Sequence, residues 1–268
     1  DVVAGPRRSR SATGQHQDAA SAFGPLVGVE RLREECSIVE VSDPPTGRIV
    51  PMGTVQAKRK SVKHAVVGSE PGPLPQFVPP SLALRSEDAR SGDVWLHEIK
   101  FDGYRLEARI ENGQVTLLTR NKQDWTHRFA AVAEALATLK VETALLDGEV
   151  VVEGEDGVTS FSELVADLKE GHSGRMIYYA FDLLYLNGVD LRGATLVDRK
   201  VVLARVLKGR RDGKVRFSEH FTGDGSLVLD KACALGLEGI ISKRADKPYR
   251  SGRIGDWIKS TCQLTDEF

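Results

Sequence analysis

DVWLHEIKFDGYRLEARIENGQVTLLTR, residues 93–120, reads as three strands. Its first part alternates, with Trp95, His97, Ile99 and Phe101 on one face and Leu96, Glu98, Lys100 and Asp102 on the other. The apolar face is expected to point into a core. The remainder reads as a hairpin, because Asn112-Gly113 supplies the two positive-φ residues that a type I′ turn needs between alternating strands. Antiparallel sheet is therefore the first expectation. The charged face asks for a further reason. Asp102-Gly103 bends the chain just after Lys100, where backbone can approach a ligand closely, and Arg105 returns two residues later. A lysine amine is nucleophilic only when neutral, which takes desolvation or neighbouring cations. Arg105 is one candidate for such a cation.

Downstream, Phe129, Val132, Ala133, Leu136 and Leu139 recur at helical steps, and ALLDGEVVVE is a β-rich run ending at an Asp156-Gly157 turn. FSELVADLKEG predicts a short helix closed by Gly171. RMIYYAFDLLYLNG predicts a strand buried on both faces and stopped by Asn187-Gly188, followed by a helix in LVDRKVVLARVLK. A strand at KVRFSEHF, a helix near SLVLDKACALG and strands at LEGIISKR and DWIKSTC complete the series. Hairpins with inserted helices, and no regular βαβ alternation, predict an α+β fold of mainly antiparallel sheets with flanking helices.

Upstream the texture differs. Residues 1–76 mix RRSRSATGQHQDAASA, SDPPTGR, QAKRK and SEPGPLPQ and read as a linker or partly disordered segment, leaving a packed domain over 77–268. Lys58, Arg59, Lys60 and Lys63 read as a solvated basic run. GVERLREECSIVEV holds the apolar residues through which this segment could pack on the domain.

The chain of 268 residues, 41% hydrophobic and 28% charged, is ordinary globular material with room for a sizeable core. A formal charge of -1 exerts no overall pull on nucleic acid, so any such binding must rest on local clusters of Lys and Arg. Three cysteines, Cys36, Cys233 and Cys262, are too far apart for a CxxC-type zinc site or a dense disulfide framework, and a reducing cytoplasm is the simplest home. There is no apolar run of membrane-spanning length and no secretion signal in DVVAGPRRSRS. A first residue of Asp rather than Met suggests a fragment of something longer.

Lys100-Phe-Asp102-Gly103-Tyr-Arg105 resembles the KxDGxR signature of the covalent nucleotidyltransferases, the superfamily of ATP-dependent DNA ligases, RNA ligases and capping guanylyltransferases. Further motifs follow in that superfamily's order: Arg120 in LLTRN, Glu149 in LLDGEVV, Phe181 in YYAFDLLYLNG, Glu238 and Lys243 in EGIISK, and Lys259 in WIK. The wording around them is most similar to the ligase domain of bacterial multifunctional end-joining enzymes. This resemblance spans residues 77–268 and implies the nucleotidyltransferase, ATP-grasp-like version of the α+β fold.

It also implies roles. Lys100 would attack the α-phosphorus of ATP, expel pyrophosphate and carry AMP as a lysyl phosphoramidate, to be passed on to a DNA 5′-phosphate. Lys243 and Lys259 would surround the α-phosphate with positive charge and depress the pKa of Lys100. Magnesium, with manganese able to substitute, would be held by Glu238 first and by Glu149, which would also lie near the ribose. Phe181 would stack on adenine, Glu98 contact the base edge, Arg105 the ribose side and Arg120 the phosphates. Ile99, between Glu98 and Lys100, joins the nucleotide-binding set while anchoring the strand from behind. Glu98, Lys100 and Asp102 together would line the pocket.

The implied partners are nicked or broken double-stranded DNA, the other domains of a multifunctional end-joining protein and a Ku-type end-binding protein, in the bacterial cytoplasm at the nucleoid and with no membrane. Two departures stand out: Thr261 occupies a position where many DNA ligases have a second lysine, and the expectation from the sequence as it stands is an adenylation domain without the sixth motif or the OB-fold domain. The expectation is an adenylation core with some self-adenylation and poor nick sealing. Alternatives are a GTP-using capping enzyme, an RNA ligase, or a non-catalytic nucleotide- or DNA-binding remnant. One puzzle concerns geometry: Glu238 and Lys243 are five apart, so regular alternation puts them on opposite faces unless Gly239 permits a bulge or Glu238 precedes the strand.

Overall fold

The hairpin forms as the Asn-Gly turn requires. Asn112 and Gly113 have φ of 49° and 80° and join β4 (Tyr104–Glu111) to β5 (Gln114–Thr119) in antiparallel register. The computed structural model describes Leu32 and residues 66–209 and 213–262. Cys36, the basic run at 58–63 and the last six residues lie outside the described residues.

Two sheets make up the architecture. On the other side of β4 lies β6 (Thr143–Val151), and beyond it β7 (Ile177–Leu186), both antiparallel. All ten positions of β7 are buried, as its unbroken apolar run predicts. Asn187 and Gly188, with φ of 45° and 91°, turn it into β8 (Val189–Asp190). With β1 (Glu70–Pro71) pairing β8, the seven-stranded sheet runs β1-β8-β7-β6-β4-β5, and β9 (Val215–Phe217) adds parallel to β7. The smaller sheet is β2-β11-β10-β3, built from β2 (Leu84–Arg85), β3 (Trp95–Ile99), β10 (Gly239–Arg244) and β11 (Trp257–Thr261). Among the described residues, four α-helices of two turns or more flank them: α1 (Ala130–Ala137), α2 (Phe161–Glu170), α3 (Leu196–Leu207) and α4 (Gly225–Ala234). Gly171 ends α2 at φ 73° in the left-handed conformation anticipated for it.

Three apolar clusters hold these elements. The largest packs Val132 and Leu136 of α1 and Leu203 of α3 onto β4, β6 and β7. Another joins Ile99 and Phe101 to Val228 and Ala232 of α4 and to Ile240. A third lies between the sheets, where Phe181 and Tyr185 meet Trp257 and Tyr249. No helix among the described residues is long and apolar enough to cross a membrane.

Several features add to these expectations. Leu32 has helical backbone and is wholly buried beside Ile99 and Phe101, so GVERLREECSIVEV contributes a core residue. β1 places residues 70 and 71 inside the sheet, ahead of the boundary expected at 77. β3 has no face left to water, because Leu96, His97, Glu98 and Ile99 are all buried. Cys233 and Cys262 form a disulfide with Cα atoms 5.4 Å apart. They are 29 apart in sequence, but α4 and β11 bring them together.

Candidate active site

β3 stops at Ile99, and the chain then turns at the edge of the smaller sheet, with the Lys100 N–H donating to the Gly239 carbonyl at 2.9 Å. Asp102 is engaged with the segment that starts α2. Its Oδ2 accepts from the Phe161 N–H at 3.0 Å, at the start of α2, and its own N–H donates to Thr159 Oγ1 at 3.1 Å. Asp102 therefore anchors the turn to α2 rather than lining a pocket, because its carboxylate satisfies an otherwise unpaired helix N–H. Gly103 follows because the turn presses on β6: a Cβ there would lie 2.2 Å from the Val150 carbonyl oxygen.

Lys100 is ion-paired with Glu238. Glu238 precedes β10, which starts at Gly239, and its carbonyl accepts from the Cys262 N–H at 3.0 Å. Gly239 has φ of 145°, and a Cβ on it would lie 2.2 Å from the Ser260 carbonyl oxygen. This backbone settles the puzzle of spacing: Glu238 lies outside the regular alternation that sets Lys243. One carboxylate oxygen of Glu238 meets Lys100, while Oε2 is buried with no hydrogen-bond partner.

Glu149 on β6 stands opposite Arg105 in the ladder. Burial pushes its carboxyl up to about 8; Arg105 and Lys100 pull it down, and Asp147 and Glu238 push it further up. Two carboxyl groups thus act on one another and on Lys100, and one of them has an unsatisfied buried oxygen. Such a donor set fits a divalent cation with a preference for oxygen ligands.

Arg105 forms the next wall. Its Nε and Nη2 donate to the two oxygens of Asp147 at 2.9 and 2.7 Å, and Nη1 donates to the Ser81 carbonyl at 2.7 Å. Its guanidinium carbon lies 5.2 Å from the centre of the Phe181 ring and 5.1 Å from that of Trp257. Tyr249 adds a hydroxyl donor to Asp147 at 2.8 Å. Asp147 balances the charge of Arg105, so Arg105 is not the bare cation expected to act on Lys100.

Glu98 and Lys243 lie deeper. Lys200 donates to Glu98 Oε1, and Lys243 and the Ser218 hydroxyl donate to Oε2, each at 2.9 Å. Burial alone would raise the Glu98 pKa, but the two lysines outweigh it and hold it low. Lys243 Nζ lies 4.3 Å from the centre of Phe181 and 4.2 Å from that of Trp257, and burial pushes its pKa down to about 8. Lys243 is therefore paired with Glu98 and packed on the two rings of the wall. Lys259 on β11 pairs with Ile241, which also pairs with Glu98, so these positions share a sheet face. Arg120 is exposed just past β5 and borders a small cleft with Arg105, Phe77 and Asp147. Ile99 is buried in the core, so only its backbone remains available to a ligand.

Lys100, Glu149 and Glu238 thus gather at one place, with Arg105, Phe181, Lys243 and Glu98 adjoining it. Sequence reasoning missed Asp147 and Lys200. Asp147-Gly148 looks like turn chemistry, yet both residues lie within β6, beside a shift in the β6–β7 register. Lys200 looks like one polar residue of an amphipathic helix, and nothing local marks it as buried.

Comparison with known proteins gives the family of the chain. The family model described as ATP dependent DNA ligase domain matches residues 80–260. The chain belongs to that family. The ligase domain is 45% identical over 196 residues to the multifunctional non-homologous end joining protein LigD of Pseudomonas aeruginosa, covering 73% of this chain and 23% of that protein. It is 34% identical over 174 residues to LigD of Mycobacterium tuberculosis, covering 65% and 22%. It therefore spans less than a quarter of the length of these relatives. Among solved structures, the ligase domain of M. tuberculosis LigD superposes with a TM-score of 0.60 at 33% identity, covering 68% of this chain and 58% of that one. A mycobacterial DNA ligase D complexed with ATP and MES gives 0.58 at 33% identity, covering 68% and 59%. The expected α+β nucleotidyltransferase fold is borne out, and these matches do not favour the capping-enzyme and RNA-ligase alternatives.

Proposed function

We propose that this ligase domain uses ATP to adenylate itself on Lys100 and passes the AMP to a DNA 5′-phosphate. The observation that carries this reading is the meeting of Lys100 with Glu238, whose second oxygen is buried and unpartnered. In the first step, the Lys100 amine forms a bond to the α-phosphorus, the bond to the leaving pyrophosphate oxygen breaks, and the proton that the nitrogen loses passes to the Glu238 carboxylate paired with it. Glu238 holds the amine at the edge of the smaller sheet, and Glu149 faces it from β6. Arg105 and Phe181 form the wall that would receive ribose and base, with Asp147 and Tyr249 fixing the guanidinium. Lys259 and Arg120 supply positive charge for phosphates. Glu238 and Glu149 would hold magnesium, or manganese in its place. When bound, the ion offsets charge on the nucleotide phosphates.

The relatives are named as multifunctional non-homologous end joining proteins, which supports DNA ends as substrate and further domains of an end-joining protein as partners; nicked DNA, a Ku-type partner and work at the nucleoid of a bacterial cytoplasm are further parts of this proposal. Incubation with α-labelled ATP and magnesium should leave a covalent label that Lys100→Ala abolishes. Labelling by GTP and not ATP would move the assignment to a capping-type enzyme. Nucleotide binding with no adduct at all would leave a binding remnant.

A further inference from the structure

Two lysines and one carboxylate meet in the interior, and only one of the lysines borders the aromatic wall. Besides its bond to Glu98, Lys200 donates to the Ser218 carbonyl at 2.8 Å, and its amine lies 4.6 Å from the centre of the Phe217 ring. Lys243 instead sits over Phe181 and Trp257. Glu98, Lys200 and Lys243 are all nearly inaccessible to water. Two buried cations on one anion leave a positive charge in excess, which a low-dielectric interior tolerates poorly. A ligand that adds an acceptor or a negative charge would relieve it, and Lys243 is the member placed to meet that ligand.

We propose that Lys200 is a positioning residue for nucleotide binding: it keeps Glu98 fixed and ionised, so that Lys243 can turn to the nucleotide without leaving a buried carboxylate unpaired. This inference rests on the nucleotide-transfer reading above. Lacking Lys200, the domain would have Lys243 as the sole counterion of Glu98, and drawing Lys243 away would strand a buried anion. Lys200 would thus act without touching the nucleotide.

The charges around Lys243 set its pH dependence. Glu98 faces it from β3, Lys200 from α3, Asp182 from β7 and His220 from beyond β9, and Arg105 on β4 shares its two rings. Burial lowers its pKa most; Glu98 raises it, Lys200 lowers it further, and Asp182 raises it slightly. Asp182 is engaged by Arg199 at 2.7 and 2.8 Å. His220 is held neutral by burial, its pKa pushed down to about 4. Removing the charge of Lys200 therefore raises the pKa of Lys243.

Calorimetric binding of α,β-methylene-ATP to the whole chain, from about pH 6.5 to about pH 9.5, tests this apart from the chemical step. Wild-type affinity should fall as pH rises past about 8. Lys200→Met should bind roughly tenfold more weakly at neutral pH, with its alkaline fall moved upward, and Lys200→Arg should restore much of the affinity. In a Glu98→Gln background, Lys200→Met should have little further effect. A folded Lys200→Met chain with wild-type affinity and pH profile overturns the proposal, as does an equal loss in the Glu98→Gln background. Should Lys200→Met not fold, Ser218→Ala removes the other fixed donor to Glu98 and should weaken binding in the same direction; unchanged binding there also overturns it. A wild-type chain that neither binds the analogue nor takes the covalent label fails at the functional reading itself.

Discussion

Glu149 is a carboxyl group held well above its usual range, at about 8, chiefly by burial. In the unfolded chain it ionises near 4.5. Between those values the folded protein keeps a proton that the unfolded chain has lost, so this group's contribution to stability is fully present below about 4.5 and is lost as pH rises through about 8. Glu149→Gln removes that dependence. Its melting temperature should gain on the wild type between about pH 5 and about pH 8 in the absence of divalent ions. A difference that stays constant over this range would show that Glu149 does not change its proton affinity on folding. The same substitution should weaken magnesium-dependent self-labelling, since it removes one of the two carboxylates offered to the ion.

At the scale of elements, two short backbone segments place the chemistry. Gly239 lets the chain leave Glu238 beside Lys100 and still enter β10 against β11. Gly239→Ala would combine a left-handed φ with a collision on the Ser260 carbonyl, and should cost about 2 kcal/mol or more in denaturant unfolding while sharply reducing self-labelling. A variant of wild-type stability would remove the argument for that close approach. Asp102 acts at α2, and Asp102→Ala should cost about 1 kcal/mol through the lost hydrogen bond from the Phe161 N–H, with Asp102→Asn costing less. These features also mark what a sequence can disclose. The Asn-Gly turns, the end of α2 at Gly171 and the fully buried β7 were legible because each depends on neighbouring residues alone. Lys100, Glu149, Phe181 and Glu238 stood out as candidates because each sits in a short motif and the motifs follow in the order of a known family. Asp147 was not legible as the partner of Arg105, because 42 residues separate them and only the β4–β6 register joins them. Nor could periodicity show that the charged face of β3 is buried, since that depends on α3 delivering Lys200 from 102 residues away.

Over the whole molecule, residues that serve the site come from both sheets, and the disulfide decides how part of them is connected. Cys233 and Cys262 close a covalent ring that contains Glu238, Lys243, Tyr249, Trp257 and Lys259. Within that ring, Arg250 and Arg253 lie on an exposed stretch before β11. Limited trypsin digestion should therefore nick the ring without releasing its ends. The cut chain should migrate as one species on a non-reducing gel and separate into two after treatment with dithiothreitol; separation without reductant would mean that the bridge is not formed in solution. The consequence reaches beyond stability. A broken peptide bond in this stretch would leave both halves of the site tethered to one another, so the tolerance of this ligase domain to proteolytic damage is coupled to the thiol balance of its surroundings.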